Sequence, residues 1–555
     1  MYLPLILVSV AVALFAVFPL TDTDIWWHLA CAREWVTTWT PVREPVVNVH
    51  EFFQHTVAFV YNIGGADLLV AFKALLWGFV FALFLLPTVK SSHSILKTNR
   101  GIAFLCIALA LLYVFRYQFE MRPIVFSLLF LGIYWNLLPW LFKGWGHQNL
   151  MRYPAILIVL LLQWIWCKFQ GLYILGPFFA YTVFSLELWD RRWAKKQYHY
   201  KSFLFLLGFV ILLFVMPFFH EDGIHLFPYP FGLLDRLVGL SPSATIFANG
   251  IAENRSPITL LLNGENVLQS SLMLGLCVYG FVLAIIRWSS QRSSSLLWTN
   301  AERTESIYSG RWQVISLVVT IALTLIAERN FVLFLPVFFA FLFTSSQPQI
   351  SRVRKSYYAQ VLNARLGNAR ARFKDALNNR VRPVVNRSLR PLTSRLPSTY
   401  NRLNLPFVLR LLVLAFVAFH LGLWLKSVSA YDSMIAYQRV PVHATEWMKS
   451  HPHPGRLFND DRAGGYLAFM NPSDSTYIDG RFILKTAEFF ENYLDYAEHP
   501  QVFLHDAKVQ NIDRVVLPLR YYARWDKLLS ALDSAENWHV AYRDSLFVVM
   551  DRTGR

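Results

Sequence analysis

Apolar segments long enough to cross a bilayer recur along this chain and constrain its fold more than any other feature. A transmembrane helix needs about 20 mostly apolar residues, because its backbone polar groups must all bond internally. The composition, 55% hydrophobic, is typical of a membrane protein. We predict a mainly α polytopic protein of about eleven transmembrane helices, near residues 3–20, 66–87, 101–117, 123–142, 153–168, 171–189, 202–219, 270–287, 313–327, 331–346 and 407–426.

Basic residues set the predicted orientation of these helices. All of the loops rich in Lys and Arg fall on one side when the spans alternate: 88–100, 143–152, 190–201, 287–312 and 346–406. Such loops mark the cytoplasmic side, so we expect a cytoplasmic N-terminus. The chain then divides into a transmembrane bundle, 1–426, with outer loops 21–65 and 220–269, and an extracytoplasmic tail, 427–555.

The net charge of +17 comes largely from residues 352–410, which hold fourteen Lys or Arg and one acid. Apolar residues at helical spacing predict an amphipathic helix in the basic cytoplasmic loop, 346–406, attracted to anionic lipid. An RNA-binding arm is the alternative. Stacking aromatic residues are not interleaved with these basic residues, so we expect membrane lipids and no nucleic acid as partners.

The tail has the composition of a soluble domain. Short apolar segments alternate with helical ones, which indicates a small α/β domain. The predicted strands are RLFND, STYIDG, DRVVLPL, HVAY and SLFVVM, and the predicted helices are LKTAEFFENYLDYAE and RWDKLLSALD.

The segment TDTDIWWHL, 21–29, places Asp22, Asp24 and His28 at the end of the first span. Tryptophan favours membrane interfaces, so the tryptophan pair suggests that Asp24 lies near headgroup depth. An ionisable cluster there is a candidate functional site. A solvated acid beside an aromatic belt is the alternative. The D-x-D spacing also allows both carboxylates to approach one divalent cation.

Further charged and polar residues occur at the predicted outer ends of the spans and in the 220–269 loop. Each one can be explained as a helix-end anchor. Together they predict a polar cavity for an anionic, lipid-linked substrate. The candidates for binding it are His28, Arg122, Lys168, Gln170, Glu253 and Arg329.

Several motifs together resemble a bacterial family of polytopic proteins in the GT-C glycosyltransferase superfamily. TDTDIWWHLACAREWV is similar to its "DxDxWWHLxxGxxI" opening. The likeness continues, in order, through FEMRPIVFSLLF, WIWCKFQGLYILG, IAENRSP, ERNFVLFLPV and LFNDDRAGGYLAF…YIDGR. The chain departs from the family pattern at Lys168, Gln170 and Asn254, which stand where the family has Asn, His and Trp.

The resemblance implies an inverting transfer of a sugar from a polyprenyl-phosphate donor to a cell-envelope acceptor, at the outer face of a bacterial inner membrane. The expected catalytic acid is Asp24 or Asp22, acting as a base or holding a divalent metal, Mg²⁺ or Mn²⁺. Arg122, Arg329 and Lys168 are the candidate cations for the departing phosphate. A non-catalytic flippase or assembly factor that binds lipid-linked glycan is the alternative function.

The tail adds a second group of candidates. Asp460, Arg462, Asp479 and Arg481 follow predicted strands, where ligand contacts are common. We predict that they bind substrate and that the Gly464–Gly465 turn faces the membrane, so that the tail closes the site. An independently folding, merely tethered domain is the alternative.

Overall fold

The computed structural model describes residues 3–43, 47–88, 99–143, 152–193, 200–238, 241, 245–247, 250–294, 310–345, 405–429, 432–520 and 523–553. Each predicted span coincides with a helix. The helices up to residue 429 are α1 Leu3–Phe15, α2 Asp24–Cys31, α3 Glu51–Leu85, α4 Asn99–Val114, α5 Ile124–Lys143, α6 Arg152–Cys167, α7 Leu175–Trp193, α8 Tyr200–Val215, α9 Gly223–Leu226, α10 Tyr229–Val238, α11 Pro257–Leu262, α12 Val267–Ser294, α13 Arg311–Ile326, α14 Phe331–Ser345 and α15 Leu405–Ser429.

Within the described residues, five helical segments are long and apolar enough to cross a membrane: Glu51–Thr88, Ile124–Phe142, Gly171–Trp189, Tyr200–Phe219 and Val267–Ser289. Other apolar helices, α1 and α6 among them, are shorter. Eleven crossings stay a prediction. The basic cytoplasmic loop, 346–406, lies outside the described residues except for its last two.

Helix α3 begins at Glu51, well before the predicted span at 66, and so extends into the predicted first outer loop. It is kinked at Gly64 and Gly65, and Gly65 has a positive φ of 63°. Glycine reaches this conformation without steric cost, so one helix changes direction where the apolar segment begins.

Helix α2 carries the segment DIWWHLAC, and the packing of its tryptophans corrects the expectation of an interfacial belt. Trp26 is fully buried and Trp27 is 8% exposed. The Trp26 ring makes edge contacts with Tyr466, at 4.8 Å between centroids, and with Tyr61. These rings therefore join α2 to the tail within the protein interior instead of marking a membrane interface.

The tail contains a four-stranded sheet of order β1-β2-β4-β3, formed by β1 Arg456–Asn459, β2 Ile512–Pro518, β3 Trp538–Arg543 and β4 Phe547–Arg552. Strands β1 and β2 are parallel, and the other pairs are antiparallel. The tail helices are α16 Val442–Ser450, α17 Asp461–Met470, α18 Ala487–Glu498, α19 Pro500–Val509 and α20 Asp526–Asp533.

Two predictions for the tail are wrong. STYIDG does not form a strand, since its only ladder contact is an isolated bridge between Thr38 and Thr476. Gly464 and Gly465 are not in a turn but inside α17. A Cβ on Gly464 would lie 1.7 Å from the Ile478 carbonyl oxygen, so this glycine is required by close packing.

Residues 37–43, which we call the strap, fasten the first outer loop to the tail. The backbone of Trp39 donates to Thr476, and that of Arg43 donates to Leu484 at 2.7 Å. The buried Lys485 ammonium donates to four oxygens of residues 38, 40 and 41 at 2.7–3.1 Å. The tail is therefore packed on the bundle through a segment more than 400 positions earlier in the chain.

Candidate functional site

A cavity of about 840 Å³ lies where α2, the helix ends around residues 120, 170 and 328, the 250–255 segment and the tail meet. Its wall is strongly charged, with acids and arginines from the segments around residues 120, 253 and 328 and from the tail. The charged and imidazole side chains that line it are Asp22, Asp24, His28, His50, Glu120, Arg122, Glu253, Arg255, Glu328, Arg329, Arg439, Asp461, Arg462, Arg481 and Arg524.

Asp24 is the first residue of α2, and its carboxyl group faces this cavity. Burial raises its pKa to about 7, and the nearby Asp22 carboxylate adds to the rise, while Arg122 opposes it. A carboxyl group with this pKa can release and take up a proton near neutral pH, as a general base must.

Asp22 and Glu253 share the guanidinium of Arg122. Nε and Nη2 donate to the two Asp22 oxygens at 2.7 and 3.0 Å. Nη1 and Nη2 donate to the two Glu253 oxygens at 2.7 and 2.9 Å. Arg122 therefore has a carboxylate on both of its edges, and both oxygens of Asp22 are engaged by it although Asp22 lines the cavity.

Glu120, two residues before Arg122, has other contacts. It accepts a hydrogen bond from the Thr21 hydroxyl, and its second oxygen lies 3.9 Å from the ammonium of Lys73. Lys73 is fully buried in α3. Glu120 thereby joins the segment after α1 and the segment before α5 to α3, at the cavity wall.

Arg329 differs from Arg122 because it lacks a carboxylate partner among the described residues. Its Nη1 donates to the Asn254 side-chain oxygen at 3.2 Å. Asn254 in turn donates to the backbone oxygen of Phe247 at 3.1 Å. An exposed guanidinium oriented by a neutral amide is well suited to receive an anion from the cavity.

Three other sequence candidates occupy different positions. Gln170 lines the cavity and accepts from the Ser127 hydroxyl at 2.7 Å. His28 also lines it, and burial holds its pKa well below the usual value, so the ring is neutral. Lys168 lies outside the lining and pairs with Glu51 and Asp222, at 3.0 and 3.1 Å.

Of the four tail candidates, Arg462 and Arg481 line the cavity, whereas Asp460 and Asp479 lie behind it. Asp460 caps α17 and accepts from the Trp525 indole at 2.7 Å. Asp479 pairs with Arg481, which also donates to the Trp35 carbonyl oxygen at 2.8 Å. Arg481 thereby joins the tail to the first outer loop as well as lining the cavity.

Sequence reasoning did not single out His50, Asp461 or Arg524, all of which line the cavity. Asp461 accepts from the Tyr493 hydroxyl at 2.8 Å and from Arg524 at 3.2 Å. Asp461 adjoins Asp460 in the sequence, which is a weak signal. Arg524 lies between segments with no recognisable motif, so no local pattern could have identified it.

The residues do not fit the divalent metal that the D-x-D spacing suggested. Both Asp22 oxygens are bonded to Arg122. Among the described residues, no three His, Cys, Asp or Glu side chains are grouped so as to hold a metal ion. A hard cation usually takes several oxygen ligands, and of the two acids in the D-x-D segment only Asp24 has a carboxylate that is not bonded to Arg122.

No family model matches the chain, and no curated protein matches it. Among solved structures, it is similar to the archaeal oligosaccharyltransferase AglB from Archaeoglobus fulgidus in complex with an inhibitory peptide and a dolichol-phosphate (11% identity, 100% of this chain and 74% of that one, TM-score 0.49). It is also similar to ArnT from Cupriavidus metallidurans, in the apo state (14%, 98% and 96%, TM-score 0.43) and bound to undecaprenyl phosphate (11%, 99% and 97%, TM-score 0.45). Likenesses this distant establish no family for the chain.

Proposed function

We propose that the protein is a membrane glycosyltransferase that transfers a sugar from a polyprenyl-phosphate donor to a cell-envelope acceptor, with inversion. The observation that carries this proposal is the half-buried Asp24 in the lining of an arginine-rich cavity at the ends of apolar helices, where desolvation raises its pKa to about 7. A donor's lipid tail can remain in the bilayer at such a place while its phosphosugar head enters the cavity.

In the proposed reaction, Asp24 accepts the proton of the acceptor hydroxyl as its oxygen attacks the anomeric carbon. The bond from that carbon to the phosphate oxygen breaks, and the polyprenyl phosphate leaves with the electron pair. Arg329 stabilises the charge that develops on the leaving oxygen. Attack opposite to the leaving group in a single step inverts the anomeric centre.

The remaining contacts support parts of this scheme. Arg122 donates to the Asp22 carboxylate, and the backbone amide of Asp24 donates to the same carboxylate at 3.3 Å. Asp22 is therefore proposed to position α2 and to raise the pKa of Asp24. His28 and Gln170 offer neutral hydrogen-bonding groups suited to sugar hydroxyls, and Arg462 adds positive charge from the tail.

We also propose an orientation of the protein in the membrane. The N-terminus lies in the cytoplasm of a bacterial cell, the bundle crosses the inner membrane, and the tail from 427 onward lies outside. The cavity then opens at the outer face, where envelope acceptors are found.

Asp24→Asn tests the reaction because it removes the base with little change of shape. The protein would be purified in nanodiscs and supplied with polyprenyl-phosphate sugars and acceptors from a membrane extract, and released polyprenyl phosphate would be measured by mass spectrometry. We expect a fall of at least about 10³-fold in the rate. Asp67→Asn, at an exposed acid on α3, is the matched control.

A wild-type rate in folded Asp24→Asn protein would refute the catalytic assignment. The flippase or assembly alternative predicts a different result, namely donor binding without release of polyprenyl phosphate in the wild-type protein.

A further inference from the structure

Each edge of the Arg122 guanidinium is bonded to a carboxylate, but the two carboxylates differ in how far they are exposed. The Nε edge holds Asp22, whose side chain is 6% exposed. The outer Nη edge holds Glu253, whose side chain is 50% exposed within the cavity. A bidentate pair of this kind matches a phosphate group as well as it matches a carboxylate.

Burial indicates which of the two carboxylates can be exchanged. Asp22 is enclosed and also accepts the Asp24 amide, so its removal would leave an unpaired group inside the protein. Every hydrogen bond of the Glu253 side chain among the described residues is with Arg122. Rotation of this one side chain would place its carboxylate in the open cavity.

The backbone that carries Glu253 is fixed independently of its side chain. Residues 252–254 form a single 3-10 turn, and the Asn254 amide donates to the backbone oxygen of Ile251. The Asn254 side chain bonds both Phe247 and Arg329. Loss of the contact between Glu253 and Arg122 therefore leaves the cavity wall in place.

Positive charge converges on the position of the Glu253 carboxylate. Arg122 contacts it directly, and Arg329 and Arg462 act on it from two other elements and, with Arg122, hold its pKa at about 2. An anion is thus strongly favoured at this point whether a side chain or a ligand supplies it.

We propose that Glu253 occupies the place of the donor's phosphate group on the outer edge of Arg122 and is displaced from it when the donor binds. This inference rests on the proposed function for the identity of the donor. It explains why Arg122, a predicted phosphate ligand, already has two carboxylate partners. It also makes Glu253 a competitor of the phosphate, which lowers donor affinity.

Removal of the Glu253 charge should therefore strengthen phosphate binding. The test measures dissociation constants of inorganic phosphate and of undecaprenyl phosphate for the full-length protein in nanodiscs, with polyprenol as the phosphate-free probe. We expect Glu253→Gln to bind both phosphates about tenfold more tightly and polyprenol unchanged. In an Arg122→Lys background, which lacks the fork, the gain should disappear.

Asp551→Asn is the matched control, because Arg514 holds Asp551 with two 2.7 Å hydrogen bonds and neither residue lines the cavity. It should leave both dissociation constants unchanged. Equal or weaker binding of inorganic phosphate by folded Glu253→Gln would overturn the displacement. Failure of every variant to bind undecaprenyl phosphate would instead count against the polyprenyl donor, while the inorganic phosphate arm still decides the role of Glu253.

Discussion

Asp22 and Asp24 are two residues apart, yet the start of a helix between them gives them different surroundings. Both line the cavity, but Asp22 precedes α2 and is buried and bonded by Arg122, whereas Asp24 begins the helix and is half-buried. The sequence motif could identify both acids. It also ranked Asp24 as essential and Asp22 as supporting, but it could not show their contacts, because the partners of Asp22 and Arg122 come from positions about a hundred residues away.

The raised pKa of Asp24 predicts the pH dependence of the reaction. The base is active only when ionised, and its pKa of about 7 lies above the ordinary value, so kcat/KM should rise with pH through about 7 and level off above it. Asp22→Asn removes a charge that raises this pKa. The rising limb should therefore move to lower pH, as measured by rate profiles between pH 5 and 9.

A limb that stays at the same pH in Asp22→Asn would show that another group titrates.

The ionised Asp24 is also disfavoured by burial, so its contribution to folding stability falls as pH rises from about 4 to about 7. Rate profiles must for this reason be restricted to conditions in which the protein remains folded.

At the scale of elements, apolar segments were predictable and the packing between them was not. Helix α14 is enclosed by other helices over most of its length, and its uniformly apolar sequence is consistent with this. STYIDG has strand-like residues but lies beside the strap, where only one bridge forms. Contacts made by distant segments decided its conformation.

The close packing of α17 against neighbouring segments can be tested by substitution. In α17, a Cβ on Gly464 would meet the Ile478 oxygen at 1.7 Å, and one on Gly465 would meet the Trp27 amide nitrogen at 2.7 Å. Gly464→Ala should therefore lower the melting temperature by several degrees, since overpacking costs about 1–3 kcal/mol. Because helix propensity alone favours alanine over glycine, the expected sign is opposite to that of a surface substitution.

Gly275→Ala in α12 is the control, because nothing lies within 4 Å of its added Cβ. It should leave the melting temperature unchanged or raise it. An unchanged melting temperature in Gly464→Ala, measured in the same detergent, would contradict the close packing of α17 on the loop that carries Gly480.

At the scale of the whole molecule, the basic loops predict the side of the membrane on which each part lies. A reporter enzyme that is active only outside the cytoplasm, fused after Arg555, should be active, and one fused within residues 88–100 should not. A reporter after Arg555 that functions only in the cytoplasm would reverse the orientation. It would also place the cavity on the side away from envelope acceptors.

The joining of tail and bundle could not be predicted, because the strap and Arg481 connect positions more than 400 residues apart. The polar residues after predicted strands, Asp460, Arg462, Asp479 and Arg481, predicted that this part of the tail approaches the site. They gave no indication that residues 35–43 also contact the tail, because these residues show no recognisable sequence pattern.

Removal of the tail tests whether it completes the site or is merely tethered. A protease site inserted after Ser429, where α15 ends, would separate the two parts covalently. Because the strap and the Trp26–Tyr466 contact bury apolar and polar groups between the two parts, we expect them to co-purify after the cut and to stay active.

Mild denaturant should then release the tail and abolish sugar transfer, since Asp461, Arg462 and Arg524 leave the cavity wall. Readdition of the tail after dilution of the denaturant would control for irreversible damage to the bundle. Full transfer activity and donor affinity in the isolated bundle would show that the tail takes no part in the site.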